Sequence, residues 1–283
     1  MNILITGANG FIGRKLSAHL QHSHSIYKLV RKKEHADDRT FEFDLSDPEK
    51  IKRTFFSSSL SKEKTDIIIH CAAMLGVKNN IKDFSLFNEN NKITESIIFI
   101  ADNLLPKTII NLSTIGVYPN KEGIYNETSI IQPSMNTECL YGLSKFCSEE
   151  LISFFLKDKM SIINLRLSQT FGPGMRNDRV YSIMLNELND KNTITVFGGG
   201  KRKSNFMSID FFLNITDRLI GMSGVTGTYN VGERNITYLE LAETIIKKHG
   251  NGSSKIIIKE EGVTSKVEID SSKVSELFIR NEQ

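Results

Sequence analysis

The chain of 283 residues lacks the marks of several large protein classes. Its three cysteines, Cys71, Cys139 and Cys147, show neither the paired spacing of a zinc site nor the even count of a disulfide framework. Reduced thiols are therefore expected, and no metal. No apolar run approaches the roughly 18 residues needed to cross a bilayer. No basic region precedes the apolar run that begins at Ile3, so a secretory leader is not expected either. Asn126-Glu127-Thr128 then reads as a chance sequon. The net charge of +3 is too small to imply nucleic acid. The two short basic runs, Arg31-Lys32-Lys33 and Lys201-Arg202-Lys203, are ordinarily solvated loops. Internal repeats and low-complexity linkers are missing as well. These absences leave an expectation of a soluble cytoplasmic protein without a membrane or nucleic-acid partner. Its length suffices for one large domain or two modest ones.

What is present is an alternation of short apolar runs and helical patterns, the signature of buried parallel strands in an α/β protein. Strands are expected at Ile3–Ile5, Ser25–Val30, Phe41–Phe43, Asp66–His70, Thr108–Leu112 and Ser161–Leu167. Helices are expected at Phe11–Leu20, from about Asn88 to Asp102, and at Cys139–Leu156. This order predicts a doubly wound parallel sheet, a Rossmann fold, over residues 1–172. Beyond Gly172-Pro173-Gly174 the regularity fades, with helical patterns at Val180–Leu188 and Tyr238–Lys248 and short strands at Ile194–Val196 and Gly227–Val231. Residues 173–283 are expected to form mainly a smaller substrate-binding lobe over the carboxyl edge of the sheet, some segments returning to the sheet itself.

Thr6-Gly7-Ala8-Asn9-Gly10-Phe11-Ile12-Gly13 lies between the first strand and the first helix. Glycine there permits a tight turn, close approach of backbone to a pyrophosphate, and close packing of helix on strand. The helix amino terminus then offers free N–H groups to the anion. The turn is expected to hold a nicotinamide dinucleotide. Where the second strand ends, an NAD site usually carries an acidic residue for the ribose hydroxyls. Here Val30 runs into Arg31, which suits a 2′-phosphate, so NADP is expected, with NAD as the alternative.

Tyr141 and Lys145 stand four apart, on one face of the helix expected at Cys139–Leu156. The strand before it ends in Ser113-Thr114, whose hydroxyls can reach a substrate oxygen. Moving a hydride at a carbinol carbon requires moving a proton on its oxygen. Tyrosine ordinarily titrates near pH 10, so lowering it by about three pH units requires roughly 4 kcal/mol from a nearby ammonium and the nicotinamide charge.

In order along the chain, these motifs resemble the extended short-chain dehydrogenase/reductases, in their nucleotide-sugar epimerase, dehydratase and reductase branch. The segments are Thr6–Gly13, Asp44–Asp47, His70–Ala73, Asn90 with Thr94, Ser113–Tyr118, Tyr141–Lys145, Arg166–Pro173 and Tyr229–Gly232. The resemblance implies Thr114, Tyr141 and Lys145 as the catalytic trio. It implies cofactor contacts from Gly7, Asn9, Gly10, Phe11, Ile12, Gly13, Arg31, Asp44, Leu45, Ala72 and Ala73, besides Tyr141 and Lys145. A homodimer through the two long helices is implied too. Substrate contacts fall to Gln169, where relatives usually carry asparagine, and to Asn205. Arg202, or Lys203, stands near Ser204, where relatives often have a diphosphate-binding arginine. Related 4,6-dehydratases follow the threonine with Asp-Glu, whereas here Ile115-Gly116 follow, which argues against dehydration. The chain ends at Gln283, earlier than the resemblance implies, so a reduced substrate lid is expected.

The expected substrate is a nucleoside diphosphate sugar. Arg31 favours a reductase that uses NADPH on a 4-keto-6-deoxy sugar. The alternative is a C4 epimerase with tightly held NAD. A third reading is a non-catalytic NADP-binding regulator, since fold does not fix function; it is disfavoured by retention of Tyr141 and Lys145.

Overall fold

Ile3 and Ile5 face one hydrophobic cluster and Leu4 faces another, because successive side chains on a strand point to opposite faces of the sheet. The same alternation separates Ile110 and Leu112 from Ile109, and Ile163 and Leu165 from Ile162. Strands apolar on both sides need cover on both sides, and each fully buried leucine or isoleucine contributes roughly 1.5–3 kcal/mol.

A computed structural model describes residues 1–34, 37–76 and 81–280; the carboxyl-terminal expectation at Gln283 lies outside the described residues. In chain order, β1 (Asn2–Thr6), α1 (Phe11–Leu20), β2 (Ser25–Val30), β3 (Thr40–Glu42), α2 (Pro48–Thr54) and β4 (Ile67–His70) come first. Then follow α3 (Phe84–Leu104), β5 (Thr108–Thr114), β6 (Gly123–Tyr125), α4 (Cys139–Leu156), β7 (Ser161–Leu167), β8 (Gln169–Phe171) and α5 (Val180–Lys191). The rest is β9 (Thr193–Val196), β10 (Lys203–Ser208), α6 (Ile209–Ile220), β11 (Gly227–Val231), β12 (Arg234–Thr237), α7 (Tyr238–His249), β13 (Lys255–Ile258), β14 (Val267–Ile269) and α8 (Ser272–Arg280).

Seven parallel strands form the central sheet in the order β11-β7-β5-β4-β1-β2-β3. The order reverses between β1 and β4, the switch point at which doubly wound sheets bind ligands beyond their carboxyl ends. Residues of α1, α6 and α8 cover one face of the sheet, and residues of α2, α3 and α4 cover the other. After β7, among the described residues only β11 rejoins this sheet. The other late strands form small sheets, β12-β10-β8 and β13-β9, and β14 pairs with β6. A third cluster, including Met184, Leu188, Ile194, Phe206, Leu241 and Ile245, packs α5 and α7 against β9 and β10.

The first long helix begins four residues before the expected Asn88, because the Asp83 carboxylate accepts from the Ser85 amide at 2.8 Å and caps it. The third strand is displaced by one residue from its expected bounds, ending at Glu42. No helix among the described residues is long and apolar enough to cross a membrane.

Candidate active site

A cavity of about 660 Å³ opens along the carboxyl ends of the strands, from the glycine turn past Thr114 and Tyr141 to Arg176 and Arg202. At its first end the chain leaves β1 and turns at Gly7, whose φ of +63° is costly for any residue with a side chain. A Cβ on Gly7 would sit 2.8 Å from the Ala72 Cα, and one on Gly13 would sit 2.3 Å from the Gly7 carbonyl oxygen. Gly10 caps α1 without a side-chain hydrogen bond, so no side-chain oxygen covers the first-turn amides. A backbone cradle of this kind, open where a Cβ would close it, fits a pyrophosphate. Gly7, Gly10, Phe11, Ile12 and Gly13 line the cavity, as do Ala72 and Ala73. Asn9 is not among the lining residues; its amide donates to the Lys32 carbonyl at 3.2 Å and ties the glycine turn to the end of β2.

The switch point is held by groups that sequence reading gave no role. The Thr6 hydroxyl accepts from the Cys71 and Ala72 amides, both at 3.2 Å, and shares a hydrogen bond of 2.8 Å with His70 Nδ1. Burial, then the charge of Lys145, keeps the His70 imidazole well below its ordinary range and hence neutral. Burial likewise pushes the Cys71 thiol up to about 12, so it stays protonated.

Arg31, Asp44 and Leu45 line the same end of the cavity. Arg31 Nε lies 3.9 Å from Asp44 Oδ1. Burial pushes the Asp44 carboxyl up, but hydrogen bonds from the Ser46 hydroxyl and amide, with the Arg31 charge, outweigh it and leave it below the usual range.

At the centre, Thr114 ends β5, and its Oγ1 accepts from the Gly116 amide at 3.0 Å, which leaves its own proton free to donate. Tyr141 and Lys145 lie one turn apart on α4. Thr114 and Tyr141 line the cavity; Lys145 is 3% exposed, behind the wall. Helix and strand end meet closely, since a Cβ on Gly142 would sit 2.3 Å from the Gly116 carbonyl oxygen. Asn90 on α3 braces the group: it exchanges hydrogen bonds with the backbone of Met74 at 2.7 and 3.0 Å and donates to Ser144 Oγ at 3.1 Å. Burial, then Glu138, pushes the Tyr141 phenol up to about 12, opposite to the direction expected from a neighbouring ammonium. Desolvation outweighs the cations Arg179 and Arg176, and the protonated phenol is the resting form. Burial also pushes Lys145 down to about 8.

The far end is cationic and aromatic. Gln169 lines it and donates to Ser204 Oγ at 2.7 Å. The Arg202 guanidinium lies 4.9 Å over the Tyr238 ring. Lys203 lies 2.8 Å from Glu268. Asn205 is not among the lining residues; 2% exposed on β10, it donates to Asn235 at 2.9 Å. Sequence reading passed over Arg176 and Arg179, which also line this end. Arg179 pairs with Glu138 at 2.7 Å, and Arg176 pairs with Asp178 and reaches the Gly76 carbonyl. The stacked rings of Phe171 and Tyr181, 4.3 Å apart, form part of the wall. The Arg-x-x-Arg spacing after Gly174 was the available signal, without the tertiary contacts that give it meaning.

Residues 3–232 match the sequence model of a family described as the NAD dependent epimerase/dehydratase family. The chain is 28% identical over 270 residues to dTDP-D-glucose 4,6-dehydratase of Dictyostelium discoideum, an alignment spanning 86% of this chain and 61% of that protein. It is 28% identical over 238 residues to GDP-6-deoxy-D-talose 4-dehydrogenase of Aggregatibacter actinomycetemcomitans, covering 82% of this chain and 74% of the relative. Among solved structures, UDP-glucuronic acid 4-epimerase from Bacillus cereus, in complex with UDP-glucuronic acid and NAD, superposes with a TM-score of 0.76. That match has 24% identity and covers 99% of this chain and 93% of the other, a likeness of fold.

Proposed function

The chain belongs to the NAD dependent epimerase/dehydratase family, and from that premise we propose that it reduces a 4-keto-6-deoxy sugar carried on a nucleoside diphosphate, with NADPH as reductant. The observation that carries this reading is one cavity joining a glycine cradle, the Thr114 and Tyr141 hydroxyls, and an arginine-bearing far end. Residues 1–172 hold the dinucleotide and residues 173–283 supply most of the substrate side. The dinucleotide, when bound, supplies the hydride. Thr114 donates a hydrogen bond to the substrate oxygen, and Tyr141 gives that oxygen its proton. A phenol pushed up to about 12 by burial is protonated at neutral pH, which suits the reductive direction. Lys145, one turn on, orients the nicotinamide ribose and restores the phenol proton. Arg202, with Arg176 or Arg179, offers charge for the diphosphate, and Gln169 a hydrogen bond for the sugar.

Dehydration, the reaction named for the Dictyostelium relative, is disfavoured because Ile115 and Gly116 offer no acid beside Thr114. The 4-dehydrogenase name of the Aggregatibacter relative agrees with chemistry at C4. A second reading, C4 epimerisation with tightly held NAD, is favoured by the Bacillus cereus neighbour, which holds NAD. Consumption of NADPH with 4-keto-6-deoxy nucleotide sugars supports the reductase; interconversion of C4 epimers without consumption replaces it with the epimerase.

The NADP assignment rests on Arg31. An exposed pair at 3.9 Å with Asp44 is worth about 0–1 kcal/mol, so a 2′-phosphate competes well for the guanidinium. A hydrogen bond to a charged group contributes about 1.5–3 kcal/mol. Arg31→Ala is therefore expected to weaken NADPH binding by roughly ten- to a hundredfold, with NADH binding changed little. Equal losses for both dinucleotides in fluorescence titrations, or tighter binding of NADH by the unaltered protein, would remove the assignment.

A second copy of the chain is the proposed partner, seated on the α3/α4 face. Phe84 of α3 and Leu151, Phe154 and Phe155 of α4 are exposed apolar residues. Sedimentation as a monomer at micromolar concentration would contradict this.

A further inference from the structure

Beneath Thr114 lies a polar network that the proposed reaction does not use. The Ser113 hydroxyl donates to Glu149 Oε1, which also accepts from Arg166 Nε at 3.1 Å. Arg166 Nη2 donates to Glu149 Oε2 at 2.7 Å, and the side chains of the pair are 4% and 2% exposed. Arg166 Nη1 donates to Tyr118 Oη at 2.9 Å, and Tyr118 donates to Asn230 Oδ1 at 2.9 Å. Asn230 in turn donates its backbone amide to Glu127 at 2.7 Å and its side-chain amide to the Asp270 carbonyl at 3.1 Å.

A buried ion pair is weak support for stability, because desolvating both charges offsets most of their attraction. Here its members sit at particular places. Ser113 precedes Thr114 on β5, Glu149 is one turn beyond Lys145 on α4, and Arg166 is on β7, paired in register with Ser113. One carboxylate thus bridges the strand that ends in the threonine and the helix that bears the tyrosine and lysine. Glu149 of its own helix acts on the Lys145 ammonium, which in turn helps keep His70 of β4 neutral and lies near Cys71, just beyond that strand; Arg166 stands beyond the carboxylate.

We propose that Glu149 is a positioning residue for the Thr114, Tyr141 and Lys145 constellation, fixing the end of β5 against α4 and facing the Lys145 ammonium with a buried negative charge. The inference deepens the proposed function and rests on its assignment of that trio. Two effects are separable. The tether runs through Ser113, and the charge acts on Lys145. Burial lowers the lysine first, and the carboxylate acts against that by favouring the charged form. Removing the carboxylate's charge therefore lowers Lys145 further, so the ammonium loses its proton at a lower pH.

The test is the titration of Lys145 in the protein without added dinucleotide. The signal is the side-chain carbon resonance of isotopically labelled lysine, assigned by its loss in Lys145→Met. Glu149→Gln is expected to lower the midpoint by about one pH unit, and Glu149→Asp to restore most of it. Ser113→Ala, which cuts the tether and keeps the charge, is expected to leave the midpoint in place. In turnover with a 4-keto-6-deoxy nucleotide sugar it is expected to lower kcat about tenfold without raising KM. Should Glu149→Gln fail to fold with Arg166 left unpaired, the double variant E149Q/R166M removes both charges and, the more distant Arg166 offsetting part of the effect, is expected to lower the midpoint by a smaller amount. A midpoint unmoved in whichever of these two variants folds overturns the charge role. An unaltered kcat in Ser113→Ala overturns the tether. The titration needs no substrate, so failure of the reductase reading, seen as absent turnover by the unaltered protein, leaves its result standing.

Discussion

Tyr141→Phe is expected to lower turnover by about a thousandfold while changing dinucleotide affinity less than about threefold. The substitution removes one oxygen and its proton and keeps the ring that lines the cavity. No hydrogen bond joins the Tyr141 hydroxyl to another of the described residues, so its loss orphans no buried protein group and the fold is expected to persist. Positioned proton transfer is worth roughly two to four orders of magnitude, and the remaining groups, Thr114 and Lys145, still orient the reactants. Steady-state rates beside dinucleotide titrations check this. Unchanged turnover would remove Tyr141 as the proton donor.

Gly13→Ala is the second large effect, and here two forces oppose one another. Alanine favours a helix over glycine by about 1 kcal/mol, so propensity alone predicts a gain in stability. The new methyl, however, would stand 2.3 Å from the Gly7 carbonyl oxygen, and backbone cannot swing aside as a flexible side chain can. Sterics win. Helix α1 must move off the turn by about an ångström, carrying with it the first-turn amides that face the pyrophosphate. Dinucleotide binding is expected to weaken at least about tenfold, with thermal stability falling rather than rising. Calorimetry of binding and thermal melts measure both. A variant that binds as tightly as the unaltered protein would mean that the close approach is not what shapes the site.

Much of this was legible in the chain because the physics is local. Ile3, Leu4 and Ile5 read as a buried strand, and the glycines after it as a turn into a helix. Cys139–Leu156 was read with its observed bounds. Of the small sheets, only the strand at Ile194–Val196 was legible. Lys203–Ser208 opens with three polar residues, yet Ser204 and Asn205 are buried along with Phe206 and Met207, because β8 and β12 flank the strand. That burial comes from tertiary pairing, which no short pattern records. Helix α6 carried a usable signal that was passed over: apolar residues at 209, 212, 213, 219 and 220, with Ser208 capping the helix.

The site divides in the same way. That Tyr141 and Lys145 share a helix, that Thr114 closes the strand before it, and that the first glycines make a turn was readable, because residues four apart share a helix face and short apolar runs mark strands. Asn9 and Asn205 were expected at the ligands, and their amides instead bond to Lys32 and Asn235. The burial that pushes the Tyr141 phenol up was not readable, since a lysine four residues away announces charge and nothing announces desolvation. Arg176, Arg179 and the Glu149–Arg166 pair likewise take their meaning from elements distant in sequence.

The most direct measurement of the central claim is the fate of a label. NADPH deuterated at the transferable position of the nicotinamide is incubated with the protein and a 4-keto-6-deoxy nucleotide sugar, and the sugar is analysed by mass spectrometry and proton NMR. Stoichiometric loss of reduced dinucleotide and deuterium at C4 of the sugar on one face are expected, and neither in Tyr141→Phe. Sugar recovered without deuterium and NADPH left unconsumed, across such nucleotide sugars, would contradict that claim.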